Sequence, residues 1–282
     1  MNTHSRPEGT SPQSDLPARN LPVRLRPPDP LPRLYRWRTN LIQAPIFLLA
    51  TIVFGSLALA ASLFDRSGRA QHTIARLWAR AALFAAGSRL ILRGEENLRK
   101  HPVAVLAANH TSYMDTPVIF SALPFQFRIL AKKNLWSMPF IGWYLNRSGQ
   151  IPIDSENAHT TLSSLGAGVK ALRAGMPLFV FPEGSRTPDG DLQPFLSGAA
   201  FLAIRAQVPL VPIALTGVYD LLPMHTRHFF PGTLTLIVGQ PIPTAGMHLR
   251  QAPELTERLR DAILELHSSR VTPIADTADS LV

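Results

Sequence analysis

The chain has 282 residues, enough for one sizeable domain with appendages. It contains no cysteine, which excludes disulfides, thiolate metal sites, a cysteine nucleophile and a covalent thioester intermediate. Only 17% of residues are charged against 46% hydrophobic, a balance that points to a membrane segment, and the net charge of +9 calls for an anionic partner. The basic residues crowd around an apolar segment and form no patch with interleaved aromatics. The partner expected is therefore an anionic membrane surface with an anionic substrate, and no nucleic acid.

Residues 1–32 are rich in Pro, Ser and polar groups and carry too little apolar surface to bury a core, so they are expected to be a disordered leader. Residues 33–93 read as a membrane-associated helical segment. Its basic, aromatic start (33–40) leads into residues 41–64, which carry no charge. As a helix this run is roughly 36 Å long, enough for a bilayer core of about 30 Å. Ala58-Leu59-Ala60 resembles a signal cleavage site, but the Pro-rich leader and the length of the run favour a retained segment.

Residues 69–92 read as a second helix, with Arg76 and Arg80 on one face, lying in the membrane interface. Arg33, Arg36 and Arg38 precede the apolar run and Arg66 and Arg69 follow it. Positive charge on both sides predicts that both ends are cytosolic, as in a re-entrant or monotopic helix pair.

From residue 94 the pattern becomes α/β. Apolar runs at 103–108, 127–131, 150–153, 177–181, 209–215 and 233–239 read as strands, with helices near 134–146, 157–174 and 197–206 between them. The alternation predicts a mixed sheet flanked by helices. Residues 253–268 read as an amphipathic C-terminal helix closing a domain of residues 94–270, and 271–282 as a loose tail.

Two constellations follow strands. The first is Asn109-His110-Thr111-Ser112-Tyr113-Met114-Asp115. A strand end is where open α/β sheets bind ligands. Asp115 can receive the Nδ1 proton of His110 if the chain turns between them, leaving Nε2 to take a proton from a hydroxyl. Alone, the spacing equally suits a structural histidine capping a turn. The second is Phe181-Pro182-Glu183-Gly184-Ser185-Arg186-Thr187. Gly184 allows close backbone approach, Arg186 offers a planar fork suited to phosphate, and Glu183 either binds a substrate hydroxyl or holds the loop by accepting backbone N–H groups. Alone, it also reads as an ordinary turn.

Together the two blocks resemble the glycerolipid acyltransferase family, whose bacterial members include 1-acylglycerol-3-phosphate acyltransferases. The similarity spans about residues 94–245. Ala131-Lys132-Lys133-Asn134-Leu135 with Pro139 to Trp143 is similar to the family's acceptor-binding block, and Val211-Pro212-Ile213 to its last block. By that resemblance His110 is the general base, with Asp115 as its partner and Asn109 in the same block. Glu183, Gly184, Ser185 and Arg186 belong to the acceptor site. Lys132 or Lys133 (Lys133 preferred) holds the acceptor phosphate, and Val211 and Pro212 shape the acyl pocket.

The resemblance implies direct acyl transfer from acyl-CoA or acyl carrier protein to the lysophospholipid 1-acylglycerol-3-phosphate, giving phosphatidic acid, with no metal or cofactor. Backbone amides near Gly184 are candidates for the oxyanion. The expected setting is the cytosolic face of a bacterial inner membrane. One departure stands out: Ile153-Asp154 is followed by Ser155 where the family often has Arg, which keeps another lysolipid acceptor open.

Rival readings find less support. A serine hydrolase needs a Gly-x-Ser-x-Gly elbow, and none occurs. Gly166, Gly168 and Ala171 mimic a dinucleotide fingerprint, but the residues before them read as a helix start. His225 and His228 have no cysteine or carboxylate cluster beside them. A non-enzymatic membrane protein leaves the two motifs without a reason.

Overall fold

The computed structural model describes residues 33–138, 141–154, 158–224, 226 and 228–268. The expected leader (1–32), tail (271–282), Ser155 and His225 lie outside the described residues. The strands are β1 (Arg89–Arg93), β2 (Val105–Ala108), β3 (Arg128–Lys132), β4 (Ile151–Ile153), β5 (Leu178–Val180), β6 (Leu210–Thr216) and β7 (Thr233–Val238). The helices are α1 (Arg33–Arg38), α2 (Ala44–Ala61), α3 (Arg69–Ala85), α4 (Glu95–Arg99), α5 (Asp115–Ala122), α6 (Ile141–Arg147), α7 (Ala158–Arg173), α8 (Gly198–Ala206), α9 (Val218–Leu221) and α10 (Ala252–Ser268).

The strands form one sheet in the order β1-β7-β6-β2-β5-β3-β4. Every neighbouring pair is parallel except β6 and β7. β1 and β7 therefore run against the other five, and the sheet is mixed.

Side chains alternate across the sheet with period two. Leu106, Ala108 and Phe179 pack with α3 and α5 on one face. Val105, Ala107, Leu178 and Val180 pack with α7, α8 and α10 on the other. Burial on both faces explains why the central strands are continuous apolar runs. Phe127 and Phe179 are among the largest side chains fully withdrawn from solvent, and truncating either to Ala would cost about 3–5 kcal/mol. Gly168 belongs to this packing: a Cβ there would stand 2.7 Å from a Leu202 methyl, which accounts for one glycine of the dinucleotide look-alike.

α1 continues through a π-helical turn (Thr39–Gln43) into α2. The stretch Arg36–Ala61 is long and apolar enough to cross a membrane, and almost none of its apolar part is buried within the protein. α2 packs along α3 through an edge-on contact of Phe47 with Trp78, whose indole N–H donates to Thr51 Oγ1 at 3.0 Å. In the π-turn Thr39 and Gln43 are buried polar residues that pin the helix. Gln43 donates to the Ala86 carbonyl at 3.1 Å, and the Phe229 N–H donates to Thr39 Oγ1 at 3.4 Å.

The second helix is shorter than its apolar pattern predicts. It ends at Ala85, and Arg89–Arg93 form β1. Gly87, at φ 71°, breaks the helix. Tertiary pairing with β7 then turns the Arg-Leu-Ile-Leu-Arg segment into an edge strand. The sheet therefore begins at residue 89, ahead of the expected start of the α/β region.

Candidate active site

β2 and β5 are adjacent and parallel, so the chain leaves both at the same edge of the sheet. The His110 loop follows β2 and the Glu183–Arg186 loop follows β5. Adjacency of two strands far apart in sequence is what brings the two motifs together.

Asp115 is the first residue of α5 and is completely buried. Its Oδ2 accepts from His110 Nδ1 at 2.7 Å and from the backbone N–H groups of Thr111 at 2.6 Å and Ser112 at 2.9 Å. One carboxylate thus folds the loop back on itself and holds the imidazole. With that acceptor on Nδ1, the ring proton resides there and Nε2 keeps its lone pair. The His110 side chain is 13% exposed, so solvent reaches only a small part of it.

The ring lies flat on Phe181, with centroids 3.9 Å apart and 16° between planes. The Phe181 ring thereby covers one face of the imidazole. From the second loop the Thr187 N–H donates to the His110 carbonyl at 3.0 Å.

Glu183 takes the second of its two expected alternatives. Its Oε1 accepts the His110 backbone N–H at 2.6 Å and its Oε2 the Gln193 N–H at 3.0 Å. It braces the main chain that carries the imidazole. Burial pushes its carboxyl up to about 7, against the two N–H donors, and the nearby Asp115 charge adds to the rise.

Gly184, at φ 71°, donates its N–H to the Phe181 carbonyl at 3.1 Å. That bond closes the turn and commits the Gly184 amide, so the oxyanion role suggested for this stretch does not fall to it. Ser185 is exposed beside it. Arg186 lays its guanidinium on Tyr113, 3.9 Å from the ring centroid, and its Nε is buried without a hydrogen-bond partner. Tyr113 belongs to the first motif and Phe181 to the second, and the sequence alone assigns neither a role. Their contacts depend on pairing between loops, which spacing does not encode.

The remaining candidates lie further off. Asn109 is buried and spends its amide on β6: it donates to the Leu215 carbonyl at 3.0 Å and accepts the Leu215 N–H at 2.7 Å. Val211 and Pro212 sit within the sheet opposite Leu106 and Ala107, and both are buried. Lys132 ends β3, beyond β5, and is exposed. Lys133 faces Asp154 across 3.7 Å. Among the described residues no group of three or more His, Asp or Glu side chains is placed to hold a metal ion.

A buried carboxylate orienting a histidine beside an arginine-bearing loop, at the carboxyl edge of such a sheet, is the arrangement of an acyltransferase domain. The acyltransferase family model matches residues 89–216, the span from β1 to the end of β6. A 1-acyl-sn-glycerol-3-phosphate acyltransferase of Chlamydomonas reinhardtii is 32% identical over 243 residues, 84% of this chain and 71% of that one. The chloroplastic enzyme BAT2 of Brassica napus is 31% identical over 183 residues, 64% of this chain and 53% of that one.

The human enzyme beta is 29% identical over 178 residues, 63% of this chain and 64% of that one. The chain thus spans between half and two thirds of these last two relatives. The crystal structure of the 1-acyl-sn-glycerophosphate (LPA) acyltransferase PlsC from Thermotoga maritima superposes with a TM-score of 0.72 at 23% identity, covering 84% of this chain and 97% of that one, and shares the fold. The chain belongs to the 1-acyl-sn-glycerol-3-phosphate acyltransferase family.

Proposed function

We propose that the chain transfers a fatty acyl group from a thioester to the free hydroxyl of 1-acylglycerol-3-phosphate, giving phosphatidic acid. The observation that carries this reading is the 2.7 Å contact of His110 Nδ1 with buried Asp115, which leaves Nε2 as a base. Nε2 takes the hydroxyl proton as the oxygen attacks the thioester carbonyl. The C–S bond then breaks, and the imidazolium returns its proton to the departing thiolate. Asp115 stabilises the imidazolium during that interval.

Arg186 receives the acceptor phosphate, a role supported by its unpartnered Nε. Lys132 and Lys133 add positive charge on the acceptor side. Ser185 lies on the acceptor path, and Asn109, Val211 and Pro212 hold the strands beneath the site. The donor is acyl-CoA or acyl carrier protein. α2 seats the chain in the cytosolic leaflet with α3 in the interface, a reading supported by the exposed apolar surface of α2. Ser155 keeps a second lysolipid acceptor in view.

The test is acyl transfer by detergent-solubilised protein, with lysophosphatidic acid and either donor, beside His110→Ala. Wild type is expected to form phosphatidic acid, and the variant to fall by at least about 10³-fold. A folded His110→Ala protein that keeps full activity sinks the mechanism. Wild type that acylates only other lysolipids redirects the acceptor.

A further inference from the structure

A second basic feature lies away from His110. On α3, Arg69, Thr73 and Arg80 are exposed and Arg76 is half-buried, three or four residues apart along one helix face. Beside them opens a cavity of about 280 Å³, lined by Arg69, His72, Thr73 and Arg76 and by residues 124–126. Residues 124–126 lead into the start of β3, so the cavity sits at the amino edge of the parallel strands, opposite the edge that carries His110.

No carboxylate among the described residues lines this cavity. Among the described residues neither Arg69, Arg76 nor Arg80 forms an ion pair. Asp65, in the turn before α3, accepts from the N–H and hydroxyl of Ser67 and from the N–H of Ala70. Arg76 donates one terminal nitrogen to the Pro124 carbonyl at 3.4 Å, and its buried Nε has no partner. His72 is 95% withdrawn from solvent, packed against Phe120 and Phe127, and its Nε2 also lacks a partner. Desolvation holds its pKa down to about 4, so the ring is neutral and the two guanidinium groups dominate the field in the cavity.

The surroundings are lipophilic. α3 packs along α2, whose apolar surface is long enough to cross a membrane, and Phe64, in the turn joining the two helices, is 90% exposed. The helix pair that carries these arginines thus presents an apolar surface suited to lipid, where the anion at hand is a lipid phosphate.

We propose that the cavity between α3 and residues 124–126 binds the phosphodiester headgroup of an anionic membrane lipid, apart from the catalytic edge. Arg69 and Arg76 hold the phosphate oxygens, and Thr73 lies between them on the same face. The assignment stands whether or not the acyl-transfer reading holds, because it rests on different residues at the opposite edge.

The experiment is native mass spectrometry of the delipidated full chain with dioctanoyl-phosphatidylglycerol, with dioctanoyl-phosphatidylcholine as the zwitterionic comparison. Phosphatidylglycerol is neither acceptor nor product of the proposed reaction. Arg69→Gln/Arg76→Gln is compared with Arg36→Gln/Arg80→Gln, which removes the same charge outside the cavity, and with His110→Ala. One phosphatidylglycerol is expected on wild type, on the charge-matched pair and on His110→Ala. Occupancy is expected to drop at least about tenfold for Arg69→Gln/Arg76→Gln. Equal loss in both arginine pairs overturns the proposal in favour of diffuse attraction. Displacement by inorganic phosphate alone at matching concentration overturns the lipid assignment.

Discussion

The two loops at the carboxyl edge are built on opposite plans. The loop after β2 is sealed: Asp115 is fully buried, and three donors from its own loop converge on one of its oxygens. The loop after β5 is open: Gly184 and Ser185 are exposed, and Arg186 rests on an exposed aromatic ring. In the proposed reaction the sealed loop holds the group that moves a proton, where small displacements are costly. In the same proposal the open loop holds the groups that meet the acceptor, where accessible donors are the requirement. Glu183 joins the two plans, since it belongs to the open loop by sequence and to the sealed one by its bond to the His110 N–H.

That contrast can be broken most sharply at Asp115. Asp115→Asn swaps one acceptor oxygen for a donor amide and removes the charge opposite the imidazole. Activity is expected to fall about 10³-fold or more, with a loss of stability of about 1–3 kcal/mol from donors left unsatisfied. A variant that keeps wild-type turnover removes the case for a sealed base.

The open loop predicts a different kinetic signature. Arg186→Lys keeps the charge but loses the planar fork and most of its stacking on Tyr113. It is expected to lower kcat/KM for a phosphate-bearing acceptor by about 10–100-fold, chiefly through KM. A loss confined to kcat, with KM unchanged, places Arg186 with the chemistry instead. A smaller effect is expected at the ring beneath His110: Phe181→Leu keeps bulk and removes the aromatic face, costing about 0.5–1 kcal/mol of stacking against the imidazole, a two- to fivefold loss in kcat. Steady-state kinetics on folded protein decide both.

The smallest effect is a pH slope. The folded-state pKa of Glu183, about 7, lies above its ordinary 4.5. Between those values the folded chain binds more protons than the unfolded one, so stability falls as pH rises. The contribution is fully present below the ordinary value and is lost as pH climbs through the raised one. Glu183→Gln removes this titration and costs one N–H bond at every pH. The Tm advantage of wild type over Glu183→Gln is therefore expected to be larger near pH 5 than near pH 8. An identical difference at the two pH values contradicts the raised carboxyl.

The parts of the fold that local pattern governs were readable. The six apolar runs from residue 103 onward correspond to β2 through β7, most plainly at β2, β5 and β6, which are covered on both faces and apolar nearly throughout. β1 escaped. It is half-exposed at the sheet edge, carries Arg at both ends and takes its identity from β7 far along the chain. The site divides the same way. The five-residue spacing of His110 and Asp115 suggested their contact, but the two backbone donors on that carboxylate depend on how the loop folds. Phe181 under the imidazole and Tyr113 under Arg186 follow from β2 lying beside β5. Whether Asn109 turned to a ligand or to β6 was equally out of reach, since its partner Leu215 lies on another strand.

The seat of β1 also sets an order of events during synthesis. β1 pairs with β7 alone, and its partner residues begin at Thr233. While the ribosome is still making the middle of the chain, the α2–α3 hairpin is already complete but the strand that ties it to the sheet has nowhere to dock. Because segments assemble from the N-terminus as they emerge, the hairpin has that interval to find a surface of its own, and the first strand of the sheet docks only once the seventh has been made.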